Sequence, residues 1–226
     1  MLFTLEDVRA NLRNKDGKRV FYLGKGDTLT SEARDFLSHE RIGILPAAQA
    51  RPERYALLGG GYMTEKPEHM THLNAQVLVH KTHPRIFFRS AMDALEAELL
   101  LAMLVKDAPR KALQEALDLA RKVLRLEVLE EKAEEVLLDG MDGQTLRAHS
   151  HRPQDFYGKA HFMPKPEDGA VVLQLNRCRC AARQAELAAC RCFTGRDGCI
   201  TRQDLVQCLN RLSSFLYILM IRARPG

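Results

Sequence analysis

From Phe88 onward the chain places its apolar residues at a spacing that helices use and strands do not. Phe88, Met92, Leu95 and Leu99 recur every three or four residues, and Leu113, Leu117, Ala120, Leu124 and Val128 do the same further on. Each stripe covers one face of a helix and has to be buried against a neighbour. Two more helical segments follow, at about 170–193 and about 202–222. Long helices that each carry an apolar face specify a bundle. Asp107 and Pro109 mark the start of the second helix, which the pattern carries to near Gly140. The segment MDGQTLRAHSHRPQDFYGKAHFMPKPEDGA, residues 141–170, reads as a long irregular loop. Loops of that length inside a domain are often functional.

Residues 1–48 have a different character and read as a small α/β segment. Thr4 and Asp7 stand at capping-box spacing before a short helix, NKDG makes a turn, and RVFYLG is a strand. Thr30 caps a second helix, SEARDFLSHE, and IGIL is a second strand. GKGD, residues 24–27, is a plain turn, since no Lys-Ser/Thr pair opens the next helix as a phosphate-binding loop requires. Prolines and a GGG run make residues 49–67 a linker. The expected architecture is mostly α: a helical bundle over 68–226 with the small α/β segment in front.

The chain has 226 residues, 46% hydrophobic and 28% charged, which supports a real core in a soluble protein. A net charge of +5 is modest and there is no Trp. That favours anionic small molecules over a nucleic-acid surface, which shows a denser basic stripe and stacking aromatics. No apolar run approaches a membrane span, and MLFTLEDVRANLR lacks the features of a secretory signal, so a cytoplasmic location is expected. The six cysteines then read as thiols, not disulfides. Cys178-x-Cys180 and Cys190-x-Cys192 fall on a helix, where i and i+2 point about 200° apart and cannot share one ion.

Chemistry concentrates in three places. EHMTHLNAQVLVHKTHPRIFFRSAMDALEAELLLA, residues 68–102, gathers histidines, Lys81, Arg85 and Arg89 at the entrance of an apolar helix. Cationic side chains and free N–H groups at a helix start both attract phosphate; a solvated basic loop is the plainer alternative. On the third long helix Arg179, Arg183 and Glu186 share one face, opposite Val172, Leu175 and Ala182. On the last, Asn210, Ser213, Ser214 and Tyr217 form a polar stripe on an otherwise apolar helix and must find partners or water. Two matching polar stripes suggest a shared cleft, and arginines there suit phosphate. No Ser/His/Asp signature, HExxH or GxSxG occurs, so the chain offers no obvious protein nucleophile.

These residues resemble the ATP:corrinoid adenosyltransferases, most closely the ethanolamine-utilisation type, with the propanediol-utilisation type a relative. "LGKGDTLTSEARDFLSHERIGI", "THLNAQVLVHKTHPRIFFRSAMDALEAELLLA", "HSHRPQDFYGKAHFMP" and "LNRLSSFLYILMI" are similar, in order, to that type's N-terminal segment, phosphate-binding loop with first bundle helix, central loop and closing helix. The resemblance implies a cobalamin adenosyltransferase-like bundle that oligomerises, as trimer or dimer, with active sites at or near subunit interfaces. It implies ATP, Mg²⁺ and a corrinoid: cob(I)alamin attacks the 5′-carbon of ATP to give adenosylcobalamin and triphosphate, cofactor chemistry that the protein positions. The supplied partner would be a B12-dependent enzyme such as ethanolamine ammonia-lyase, with a reductase providing the electron, possible association with a bacterial microcompartment, and no nucleic acid or membrane. By position the resemblance places Arg179, Arg183, Glu186 and Asn210 at ATP, with Thr71, Lys81 and Arg89 at the phosphates. Asp93 would pair with Arg179, across subunits, and Phe162 would exclude the lower corrin ligand, with His161 or Tyr157 as substitutes.

One departure matters. The ethanolamine type often carries a His/Cys metal motif before the THL segment; here the stretch is ALLGGGYMTEKPEHM, without cysteine, and no metal site is expected. A non-catalytic corrinoid carrier or sensor on the same bundle, or a microcompartment-associated binding module, is the alternative function. A carrier would not need Lys81, Arg179, Arg183 and Asn210 together.

Overall fold

A computed structural model describes residues 2–15, 17–47, 55–74 and 77–225. The chain divides into two compact units, residues 1–66 and 67–226.

In the first unit, α1 (Leu5–Ala10) begins at Thr4, whose hydroxyl accepts from the Asp7 N–H while the Asp7 carboxylate accepts from the Thr4 N–H. β2 (Arg13–Lys15) and β3 (Lys18–Leu23) are antiparallel; β5 (Gly43–Pro46) lies parallel to β3 on its other side, Phe21 opposite Ile44. α2 (Ser31–His39) is capped by Thr30. A further parallel pair joins β1 (Leu2–Phe3) to β4 (Thr28–Leu29). Val8, Phe21, Ala33 and Leu37 form the unit's own apolar core. In the GKGD turn the Asp27 carboxylate accepts from the Gly24 N–H. Part of the expected linker is ordered otherwise: β6 (Tyr55–Leu57) and β7 (Tyr62–Met63) pair as a hairpin, its turn using the positive φ of Gly60 and Gly61. Residues 48–54 lie outside the described residues.

The second unit opens with a hairpin of β8 (Met70–His72) and β9 (Val77–His80), Thr71 opposite Val79. Four long helices follow: α3 (Pro84–Leu104), α4 (Arg110–Leu129), α7 (Gly169–Phe193) and α8 (Gln203–Ala223). α3 packs on α4 and α7, and α8 packs on α7 and α4, so the four close into a ring around one core. Phe88, Met92, Leu95 and Leu99 are buried, as are Leu113, Leu117 and Ala120. Val172, Leu175 and Ala182 face inward, as the spacing requires.

Two expectations fail, for local reasons. α4 ends at Leu129, not near Gly140, because Glu130 turns left-handed at φ +58 and its N–H returns to the Leu126 and Glu127 carbonyls. Gly140 instead joins Asp139 in the two-residue turn of a hairpin, β10 (Leu137–Leu138) and β11 (Met141–Asp142), both turn residues having positive φ. Residues 141–170 are also more regular than a loop. Asp142 accepts from the Thr145 N–H at 2.7 Å and starts α5 (Gly143–His151), which packs on α8. Pro153 opens α6 (Pro153–Tyr157), and a 3₁₀ turn covers Pro166–Asp168.

The stripe on α4 ends on a charge. Val128 is 40% exposed, and Glu127 takes the inward position with a fully buried side chain. Arg85 and Arg89 of α3 both donate to that carboxylate, Arg89 Nε at 2.7 Å; Arg85 reaches further to Glu130 at 2.8 Å, and Arg89 Nη1 to the Leu73 carbonyl at 2.8 Å. A buried carboxylate is tolerable only with such pairing. Replacing Glu127 by Ala leaves two mostly buried guanidiniums beside each other, with Glu130 alone to pair with Arg85 and no carboxylate for Arg89. We expect a loss of about 3–5 kcal/mol, measured as a fall in the urea midpoint, with Glu127→Gln losing less.

Candidate functional site

The two polar stripes meet. Asn176, Arg179 and Arg183 of α7 and Ser213, Ser214 and Tyr217 of α8 line one open cleft of about 480 Å³. Ser150 and His151 at the end of α5, and the segment His161–Pro164, close its other side. α7 contributes because residues 176, 179 and 183 lie on one helical face. α8 contributes because its half-buried stripe packs towards α7 while Leu209, Leu212, Phe215 and Leu216, which alternate with it, are buried in the core.

Tyr217 is the centre of the wall. Its hydroxyl lies 2.9 Å from His161 Nδ1, and His161 Nε2 lies 3.1 Å from the His151 carbonyl oxygen. A carbonyl only accepts, so Nε2 carries the proton, and in the neutral ring Nδ1 accepts from the tyrosine O–H. The His161 and Phe162 rings both stack near Tyr217, at 5.7 and 6.2 Å between centroids. On its other side Phe162 meets the Arg224 guanidinium at 4.4 Å, a cation–π contact, and Arg224 Nε donates to Asp168 at 3.0 Å. The Lys165 backbone N–H, and then Arg224, hold the Asp168 carboxyl below the ordinary range. Arg179 reaches from the opposite wall: its guanidinium lies 5.9 Å from the Tyr217 ring and donates to Asn176 Oδ1 at 2.9 Å. Arg183 is exposed and has no hydrogen bond or ion pair among the described residues.

The arrangement sets exposed cationic nitrogen against an aromatic and imidazole wall. Bidentate donors with few internal partners suit a polyphosphate, and stacked rings suit a flat apolar surface. Glu186 and Asn210 are bonded to each other, Asn210 Nδ2 donating at 2.8 Å, next to the cleft rather than within its lining. Thr71 is half-buried on β8 and Lys81 is exposed in the turn before α3. Arg89 is engaged by Glu127 and Leu73. Asp93 is exposed on α3, and Tyr157 bonds His149 at 2.8 Å under the Arg222 guanidinium. None of these lines the cleft. Sequence reasoning missed Glu127, Asp168 and Arg224. Glu127 alone had a signal, a carboxylate at the inward register of α4, seven residues after Ala120.

The cysteines sit away from this wall. Cys178 is buried, its thiol donating to the Glu98 carbonyl at 3.2 Å, and burial pushes it up to about 12. Burial likewise pushes Cys192 and Cys208 up to about 11, and Cys180 and Cys199 are exposed.

A helical bundle whose cleft sets two arginines against aromatic rings belongs to a class of protein suited to an anionic ligand with a flat apolar part. The profile of the cobalamin adenosyltransferase family matches residues 61–223, so the chain belongs to that family. It is 26% identical to the corrinoid adenosyltransferase EutT of Salmonella typhimurium, over 95% of this chain and 89% of that protein. It is 28% identical to the EutT of Escherichia coli K12 over the same shares. Its similarity therefore lies with the ethanolamine-utilisation type that its motifs resemble.

The entrance of α3 carries a titration that can be checked. His83 caps the helix: its Nδ1 accepts from the Arg85 N–H at 3.2 Å. Burial first, then the Arg85 and Arg89 guanidiniums, hold His83 below the ordinary histidine value. The native state therefore favours the neutral ring, and the cap's contribution is full above about pH 6.5. It is lost as pH falls through the lower folded value, because the unfolded chain binds the proton more readily. His83→Asn, which caps without titrating, should flatten the stability–pH slope below pH 6.5, measured by denaturation at stepped pH.

Proposed function

We propose that the chain transfers the 5′-deoxyadenosyl group of ATP to cob(I)alamin. The Co–C5′ bond forms, the C5′–O5′ bond breaks, and inorganic triphosphate leaves with the electron pair. The observation that carries this reading is the juxtaposition of Arg179 and Arg183 with Phe162, His161 and Tyr217 around one cleft. Arg179 and Arg183 hold the triphosphate, with Mg²⁺ sharing its charge; Glu186 and Asn210 orient the nucleoside end. Positive charge held on the leaving triphosphate stabilises what develops in the transition state. Phe162, held between Tyr217 and Arg224, excludes the lower axial ligand of the corrin and so favours the reducible four-coordinate form. His161 shares that wall; Tyr157, outside it, is a supporting residue.

Thr71, Lys81 and Asp93 complete the site from a second copy of the chain. Two observations support this. Asp93 has no partner among the described residues, and Phe87, Leu101 and Leu104 leave α3 with large exposed apolar side chains, 58%, 51% and 77% exposed. In this reading Asp93 pairs with Arg179 of its neighbour, and Arg89 acts through Glu127 to hold the entrance. Product adenosylcobalamin would serve a B12-dependent enzyme such as ethanolamine ammonia-lyase in the cytoplasm or a microcompartment, with a separate reductase supplying Co(I).

The test is anaerobic mixing of protein, ATP, Mg²⁺ and chemically reduced cob(I)alamin, followed by the absorbance change of Co–C bond formation. Arg183→Ala should lower kcat/KM roughly 100-fold or more, the scale of a lost charge-assisted donor. Tight corrinoid binding without turnover in the parent protein would instead support a carrier or sensor. The shared site has its own check. Arg183→Ala and Asp93→Ala, each inactive alone, should recover part of the activity when co-assembled, since a mixed interface holds one intact site. No recovery in confirmed mixed oligomers would place each site within one chain.

A further inference from the structure

A second cavity, of about 730 Å³, lies elsewhere in the bundle unit, between the start of α5, the start of α8 and the irregular stretch 132–136 after α4. Gln144 and Arg147 line it from α5, and Gln203, Gln207 and Arg211 from α8. Their spacing, 144 to 147 and 203, 207, 211, puts each set on one helical face.

Arg211 is the anomaly. Its Nε is the one buried side-chain nitrogen or oxygen without a hydrogen-bond partner among the described residues. Nη1 donates to Asn210 Oδ1 at 2.7 Å, a neutral acceptor, so the guanidinium has no carboxylate of its own. Beside it stands another cation, Arg147, exposed and without an ion pair. Burial, then Arg147, hold Arg211 below the ordinary arginine value, with Glu186 opposing. An unpaired buried donor on a charged group is costly and calls for a ligand or water.

The charges around the cavity favour an anion. Glu134 is paired with Lys122 at 2.8 Å, and Asp204 with Arg202 at 3.0 Å and the Ala133 N–H at 2.9 Å. The lining alone is balanced, Lys132, Arg147 and Arg211 against Glu134, Glu135 and Asp204; with Lys122 and Arg202, which pair with Glu134 and Asp204 from outside it, the neighbourhood holds a surplus of about two positive charges. A phosphate group near neutral pH carries roughly that charge, and guanidinium forks match its oxygens.

We propose that the Arg147–Arg211 end of this cavity binds a phosphate group, as free phosphate or on a small phosphorylated molecule. Nε itself is shut in against Gly143, so Arg211 donates from Nη2, the nitrogen left without a partner among the described residues, to one oxygen, Arg147 donates to another, and the three glutamines supply neutral donors around them. The site is separate from the Arg179–Arg183 cleft, and adenosyl transfer is not its test.

The experiment is an NMR titration of arginine Nε–H signals with inorganic phosphate near pH 7.5. It is run on the full chain carrying Arg179→Ala and Arg183→Ala, which silences the other cleft. The Arg211 signal is assigned by its absence in Arg211→Lys. We expect it to move downfield and saturate, with a dissociation constant on the order of 1 mM, the affinity that two charge-assisted bonds provide. Adding Arg147→Gln should weaken binding at least tenfold, and Arg147→Lys, which keeps the charge and loses the fork, less. Succinate tests the ligand class and should move the signal far less at equal concentration. A phosphorylated molecule that saturates the signal at lower concentration than inorganic phosphate would identify the source as a metabolite, and equal affinity would identify free phosphate. No shift, a drift that never saturates, indifference to Arg147→Gln, or an equal response to succinate each overturns the proposal.

Discussion

The fold of the bundle unit depends on one buried carboxylate. Glu127 sits at the last inward position of α4 and is met by two guanidiniums from the first turns of α3. Those guanidiniums do more than neutralise it. Arg89 also grips the Leu73 carbonyl, and Arg85 the Glu127 carbonyl and Glu130. The end of α4, the start of α3 and the β8–β9 hairpin are thereby tied at one point. A hydrophobic residue at 127 would bury as well but would specify no such register, since apolar contacts are non-directional. The nitrogen gathered at the helix entrance is thus answered in part from inside the molecule.

The same logic of matched spacing makes the cleft. α8 is buried almost all round, and a helix of that kind cannot carry a polar stripe without consequence. Its stripe is placed against the polar face of α7, so neither is stranded in the core. Tyr217 links the two ends: Arg179 above one edge of its ring, His161 on its hydroxyl, Phe162 beside it. The arginine end and the aromatic end thus both contact a single side chain. In the proposed reaction those ends hold ATP and corrinoid, whose reacting atoms have to meet within a few tenths of an ångström.

Much of this was legible in the residues, and the failures are instructive. The bundle followed from period, because four long stripes have few other ways to be buried. The Arg179–Arg183–Ser213–Ser214–Tyr217 cleft followed from two polar stripes of equal pitch. What failed was punctuation. Gly140 reads as a helix end, whereas Asp139-Gly140 between Leu138 and Met141 is a hairpin turn, for which Asp-Gly is a strong signal. Asp142, three residues before Thr145, was an unread N-cap, and with it α5 was lost to a supposed loop. Glu127 holds the inward register of α4, but an apolar stripe read from the residues runs on to Val128, which is 40% exposed. The Arg224–Phe162 contact had no local signal, since it joins residues 62 apart in the chain.

The residues tied to the chemistry by resemblance divide by where the fold puts them. Arg179, Arg183, His161 and Phe162 converge within one chain, while Asp93, Thr71 and Lys81 do not reach their cleft. A site assembled within one chain would need only the first set. The second set is exposed or half-buried, on or next to a helix that also exposes large apolar side chains. Burying that face against another copy would remove apolar surface from water and give Asp93 a cation at once, two gains from one contact. The protein supplies no nucleophile in this scheme. Its contribution there is placement, charge and exclusion of a ligand, and the proposed placement across an interface would make activity conditional on assembly.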